Sequence, residues 1–178
     1  SAQTGILFNL SLNQTAKLFV QWQSSSLLEG GVDTNLVKLQ KTLPPNIDIR
    51  AVNGGIQYGY SKTNYKFNPR KGNELNLATT VGIKNIKKSN AIINIKDPSY
   101  NYSSLYDSVK LRSYQWRIRL DAAHYFPLGK SATFKTAIHA GLYNSPSVFR
   151  NELFQIGGYK LLRGFNEESI YASSYTVF

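Results

Sequence analysis

Between Tyr114 and Ala122 the side chains alternate without a break: Tyr114, Trp116, Ile118, Leu120 and Ala122 stand against Gln115, Arg117, Arg119 and Asp121. A period of two belongs to a β-strand, whose successive side chains leave by opposite faces. One face of this segment is continuously apolar, and the other carries charges that demand water. The same pattern recurs and predicts strands at about 5–13, 17–28, 47–67, 73–86, 111–126 and 131–144. In the first, Ile6, Phe8, Leu10 and Leu12 oppose Asn9, Ser11 and Asn13; in the second, Leu18, Val20 and Trp22 oppose Lys17, Gln21 and Gln23. The third is rich in Tyr, with Val52, Ile56, Tyr58 and Tyr60 on one parity, and Gly54, Gly55 and Gly59 make it bendable. The fourth sets Leu75, Leu77, Thr79, Val81 and Ile83 against Glu74, Asn76, Thr80 and Lys84. The last sets Ala132, Phe134, Thr136, Ile138, Ala140 and Leu142 against Thr133, Lys135, His139 and Tyr143.

The connections alternate in length. Short turns are expected at Gln14–Ala16, Asn68–Gly72 and Pro127–Lys130, and long polar links at about 29–46, 87–110 and 145–175. Tight turns on one side and long loops on the other are the rhythm of an up-and-down barrel of the outer membrane. The strands also reach the ~9–11 residues needed to cross the apolar layer at a tilt, beyond the ~5–6 typical of soluble sheets. A soluble antiparallel sandwich alternates too and is the competing fold. Charges on one face, with Tyr and Trp near the ends of the other, favour the membrane. The predicted fold class is therefore all-β, an antiparallel up-and-down transmembrane β-barrel.

Composition narrows the chemistry. The 178 residues contain no Cys, which removes disulfides, structural zinc and thiol catalysis together. They contain no Met either, which suggests a chain cut from something longer. No apolar run of ~18 residues is present, so any membrane crossing must be by strands, and Ser1–Thr4 has no signal-peptide character. The formal charge of +11 raises nucleic acid as a partner. The cations are better placed on the wet parity or in turns and loops, at Lys38, Lys41, Arg70, Lys71, Lys84, Lys87, Lys88, Lys110, Arg117 and Arg119. A polar lumen and lipopolysaccharide-facing loops account for them, and no nucleic-acid motif is present. Gly129-Lys130-Ser131 has the end of a phosphate-binding loop, but His124 stands where that loop needs glycine, and a strand rather than a helix follows. His124 and His139 have no evident carboxylate neighbour and are too few for a metal site. No catalytic residue, metal or cofactor is expected, and the chain is read as no enzyme.

Residues 153–175 differ in kind, and resemble the signature loop of the BamA/TamA superfamily of outer-membrane assembly and translocation barrels. A glycine pair there precedes an Arg-Gly-Phe or Arg-Gly-Tyr core, matched here by Ile156, Gly157, Gly158, Leu162, Arg163, Gly164 and Phe165. Residues 167–175 are similar to the version common in Bacteroidetes-type members, and 67–72 to a periplasmic turn of the family. The resemblance spans about 47–178 and implies an internal piece of a ~16-stranded barrel whose loop 145–175 folds back into the lumen. It further implies that Arg163 anchors that loop to an acidic site on inner strand faces. A guanidinium suits this, since it stays charged and offers a rigid fork of donors. Arg117, Arg119, Asp121 and Glu74 are the expected lumen-facing residues, with Asp121 and Glu74 the local acidic candidates. The family's own acidic partners lie on strands that would follow Phe178. The implied function is insertion or translocation of outer-membrane or secreted client proteins, without enzymatic chemistry. Its expected partners are the bilayer, lipopolysaccharide, clients, and further strands and periplasmic domains outside this chain. A passive or gated channel would share the strands but has no need of the Gly157-to-Phe165 motif.

Overall fold

The computed structural model describes residues 1–26, 34–95, 97, 100–159 and 161–178. Seven strands form one antiparallel sheet. In chain order they are β1 (Ala2–Ser11), β2 (Gln14–Ser25), β3 (Ile49–Thr63), β4 (Gly72–Ile86), β5 (Arg112–Leu128), β6 (Ala132–Asn144) and β9 (Ser174–Val177). Each of the first six pairs with the next, and β9 adds to the far side of β6. Two further short strands, β7 (Phe154–Ile156) and β8 (Ile170–Ala172), pair only with each other.

All six expected strands are present, with shifted ends. The first turn is the two residues Leu12 and Asn13, because Gln14, Thr15 and Ala16 already belong to β2 and pair with β3. The third turn is 129–131, since Pro127 and Leu128 still pair with Thr133 and Ala132. Gly129 takes the left-handed conformation there, at φ 65°. The last strand of the sheet is β9 rather than β6, and it covers only His139–Leu142. β1 and β9 lie at opposite ends of the order, so the sheet is open.

The register decides which side chains share a face. Val20, Gly54, Val81 and Trp116 lie in one cross-strand row, and Leu18, Ile56, Thr79, Ile118 and Leu142 in the next. Trp116, Ile118, Leu120 and Phe134 thus share a face, and Arg117, Arg119, Asp121 and Lys135 the other. The apolar face is the uncovered one: Trp22 is 64% exposed, Ile56 57% and Val81 57%. Buried side chains lie on the polar face instead, among them Lys84, Asn53, Gln115 and Tyr143. That inversion of the soluble arrangement needs an apolar surrounding medium. Gly55 opens a gap on the polar face into which the Phe19 ring fits, so its role is close packing as well as bending.

The three short turns fall at one end of the sheet and the three long links at the other. The long links are not uniformly polar loops. The first holds helix α1 (Thr34–Gln40), and the second holds α2 (Asn90–Ile93) and a 3-10 turn at Tyr102–Tyr106. Val37, Ile47, Ile49, Ile86, Ile92, Tyr102, Leu105 and Tyr106 form a core there, with Phe149 packed against it. The Tyr106 hydroxyl accepts from the Ser89 N–H at 2.9 Å, and burial holds its pKa above the ordinary phenol value. Apolar residues of this cap are far apart in sequence and share no period, which is why the links read as loops. Ile92 is fully buried in it. Ile92→Ala is expected to cost the cap about 2–5 kcal/mol, seen as faster proteolysis within 87–111 while the strands stay folded.

Candidate functional site: an inturned loop on the polar face

The link from β6 to β9 returns over the sheet rather than away from it. Phe149, Arg150 and Glu152 start the return in a 3-10 turn at Arg150–Glu152, in which the Glu152 N–H donates to the Phe149 carbonyl at 3.0 Å. Two bonds tie this turn to the cap: the Arg150 N–H donates to the Pro45 carbonyl at 2.8 Å, and Asn151 Nδ2 to the Ile47 carbonyl at 2.8 Å. The turn therefore sits where cap and sheet meet.

Glu152 points into the wall. Lys84 Nζ of β4 donates to both its oxygens at 2.8 Å and to the Ser147 carbonyl at 2.5 Å. The Tyr143 hydroxyl donates to Glu152 Oε1 at 2.6 Å, and the Phe149 N–H to Oε2 at 3.1 Å. Arg117 Nη2 donates to the Glu152 carbonyl at 2.5 Å. Behind them Gln115 Nε2 donates to Asn53 Oδ1 at 2.6 Å. Every contributor from the sheet is on the polar parity. Lys84 is 0% exposed and Glu152 5%, so the two charges are buried as a pair.

Beyond Glu152, β7 and β8 form a small hairpin. Phe154 and Ile156 are buried against Tyr143, with Leu161, Leu162, Ile170 and Tyr175 around them. The Phe154 ring meets Tyr175 edge-on at 5.1 Å, and the guanidinium groups of Arg117 and Arg119 lie 4.9 Å and 5.6 Å from its centroid. Cation–π contacts of this kind let an apolar ring sit among wall cations.

The expected motif residues divide into two groups. Ile156, Gly157 and Gly158 are buried, and Leu162 is half-buried beside a bridge between Gly158 and Leu162. Gly157, Gly158 and Gly164 have φ of 127°, 90° and 94°, where side chains are strained. Arg163, Gly164 and Phe165 are exposed at the tip. Neither acidic candidate meets Arg163. Asp121 Oδ1 lies 2.7 Å from His139 Nδ1, across the β5–β6 pair, and Glu74 Oε2 accepts from the Tyr125 hydroxyl at 3.0 Å. His139 thus does have a carboxylate neighbour, contrary to the sequence expectation: both residues sit on the polar parity at one register step. His124 contacts Asn73. Among the described residues no group of three or more His, Cys, Asp or Glu could hold a metal. Arg117 and Arg119 are both on the polar face; Arg117 is bonded to the loop at the Glu152 carbonyl, and Arg119 stays exposed over the Phe154 ring.

Glu152 went unnamed in the sequence reading, and Tyr143 and Lys84 were placed on the polar parity without a role. The one available signal was that Glu152 is the sole acid between Asp121 and Glu167 in a basic chain, and it lies directly before Leu153 and Phe154.

An antiparallel sheet with an exposed apolar face, a polar face and a loop turned onto the latter defines the wall of a membrane-spanning β-barrel. No helix among the described residues is long and apolar enough to cross a membrane. Residues 1–176 match the Omp85 superfamily domain, and the chain belongs to that superfamily. Its members are outer-membrane proteins, associated as a family with insertion or translocation of proteins and not with enzymatic chemistry. No curated protein and no solved structure matches the chain.

Proposed function

We propose that this chain forms part of the wall of an outer-membrane barrel that inserts or translocates client proteins, in the manner of the BamA/TamA branch. The observation that carries the reading is the loop bearing Gly157, Gly158 and Arg163-Gly164-Phe165, rooted on the polar face of the sheet rather than projecting outward. The apolar face meets lipid, the polar face lines the lumen, and the cap of long links faces the outer leaflet and its lipopolysaccharide. Further strands and periplasmic domains outside these residues complete the barrel and receive unfolded clients. A simple channel has no use for a loop packed over its own lumen wall.

In this reading Arg163 is a tip anchor whose acidic partner lies outside the chain. Arg163→Ala in the full-length protein is expected to lower outer-membrane protein levels in a depletion strain and to open the loop tip to protease. Arg163→Lys should restore function only in part, because an ammonium lacks the planar fork. Full activity of Arg163→Ala at normal abundance would remove the assigned role.

A further inference from the structure

We infer that Glu152 seats the loop on the barrel wall through Lys84, and that this root anchor acts independently of Arg163. The inference rests on the lumen reading of the polar face, and it names the residues that position the loop there.

Two buried charges are tolerated only when paired and hydrogen-bonded, and here each requires the other. The Lys84 ammonium spends its donors on Glu152 Oε1, Glu152 Oε2 and the Ser147 carbonyl, while the carboxylate also accepts from Tyr143 and Phe149. Glu152 is the acid that the buried Lys84 meets, at 2.8 Å, so lifting the loop takes that partner from a buried charge.

Lys84 is on β4, Arg117 on β5 and Tyr143 on β6, and Glu152 is bound to all three through side chain or carbonyl. A single residue touching three adjacent strands fixes the position and the direction of the chain that follows it. Phe154, two residues on, is thereby delivered to Tyr175 and Arg117. A buried ion pair contributes little net stability compared with an apolar isostere, so its value is in specifying one arrangement.

The root and the tip of the loop are separate. Arg163 is exposed and makes no ion pair among the described residues, although the root is fully engaged. Seating at the root therefore does not wait for the tip.

The test uses the full-length protein in outer membranes, with Glu152→Gln, Lys84→Met and the exchange Lys84→Glu/Glu152→Lys. Two readouts are taken: heat-modifiable mobility for the folded barrel, and the rate of protease cleavage within 153–172. Both single variants are expected to keep the folded barrel and raise cleavage by about tenfold or more, since loss of one partner strands the other charge. The exchange should recover part of the protection by restoring the pair, which a generic packing defect would not allow; the rest is lost because the Ser147 carbonyl and the Phe149 N–H lose their partners. Adding Arg163→Ala to Glu152→Gln should multiply the two effects if the anchors are independent. Wild-type protection in folded Glu152→Gln overturns the proposal, as does an exchange no better than the single variants. A double variant no more open than Glu152→Gln alone overturns the independence. Should the single variants fail to fold, the exchange decides: folded and protected supports the anchor, and anything else overturns it. Client insertion is scored separately, so a seated loop in a protein that inserts nothing would sink the function and leave the anchor standing.

Discussion

Leu120→Arg is expected to destabilise the folded, membrane-inserted state strongly. Leu120 lies between Leu77 and Ala140 in a cross-strand row of the apolar face, within β5. An arginine facing lipid near the midplane of a barrel costs about 2–4 kcal/mol, which lowers the folded-to-unfolded ratio roughly thirtyfold or more. Its neighbour supplies the control. Arg119 faces the other way and is exposed over Phe154, so Arg119→Gln should insert like the wild type. The measurement is the folded, heat-modifiable fraction recovered from lipid vesicles. Equal insertion of Leu120→Arg and wild type would mean that the apolar face does not meet lipid, because a strand cannot exchange one residue between faces without exchanging all.

Gly157→Ala should undo the loop. At φ 127° the backbone is in a region essentially reserved for glycine, with a cost on the order of 1–3 kcal/mol for any other residue. The added methyl would also strike the Asn166 carbonyl, a backbone atom that cannot rotate aside. The β7–β8 pairing closes across this point, so β7 and β8 are expected to separate and expose Phe154. Gly164→Ala is the informative comparison, having positive φ but open space around it. Strain alone should produce a smaller effect than strain with collision. Cleavage within 153–172 in the full-length protein ranks the two variants, and equal cleavage would remove the collision from the explanation.

The two substitutions probe parts of the protein that were legible to different degrees. The strands were visible because each is a local object: alternation between Tyr114 and Ala122 needs no partner to be read, and the short turns between strands make consecutive neighbours antiparallel. The face assignments followed, since parity within each strand carries over through the register. Arg117 and Arg119 share one parity with Asp121 and Lys135, and that much needs no contact to be read. The glycines of the motif were visible by their type, and their positive φ explains why that type is needed.

The loop's fastening was not legible in the same way. Glu152 and Lys84 are 68 residues apart and meet across a loop whose path depends on the cap, on the Pro45 and Ile47 carbonyls, and on Tyr143. The cap itself joins Val37 of the first link to Ile92 and Tyr106 of the second, with no shared period. His139 and Asp121 show the intermediate case: both were placed on the wet parity, but only the β5–β6 register makes them opposite neighbours. Sequence alone therefore determined the strands and their faces, because a strand's two environments are written every second residue. Which acid holds the loop, and which cation it meets, was decided only by the tertiary structure, since a buried ion pair is selected by where chain ends of different elements converge and leaves no periodic trace.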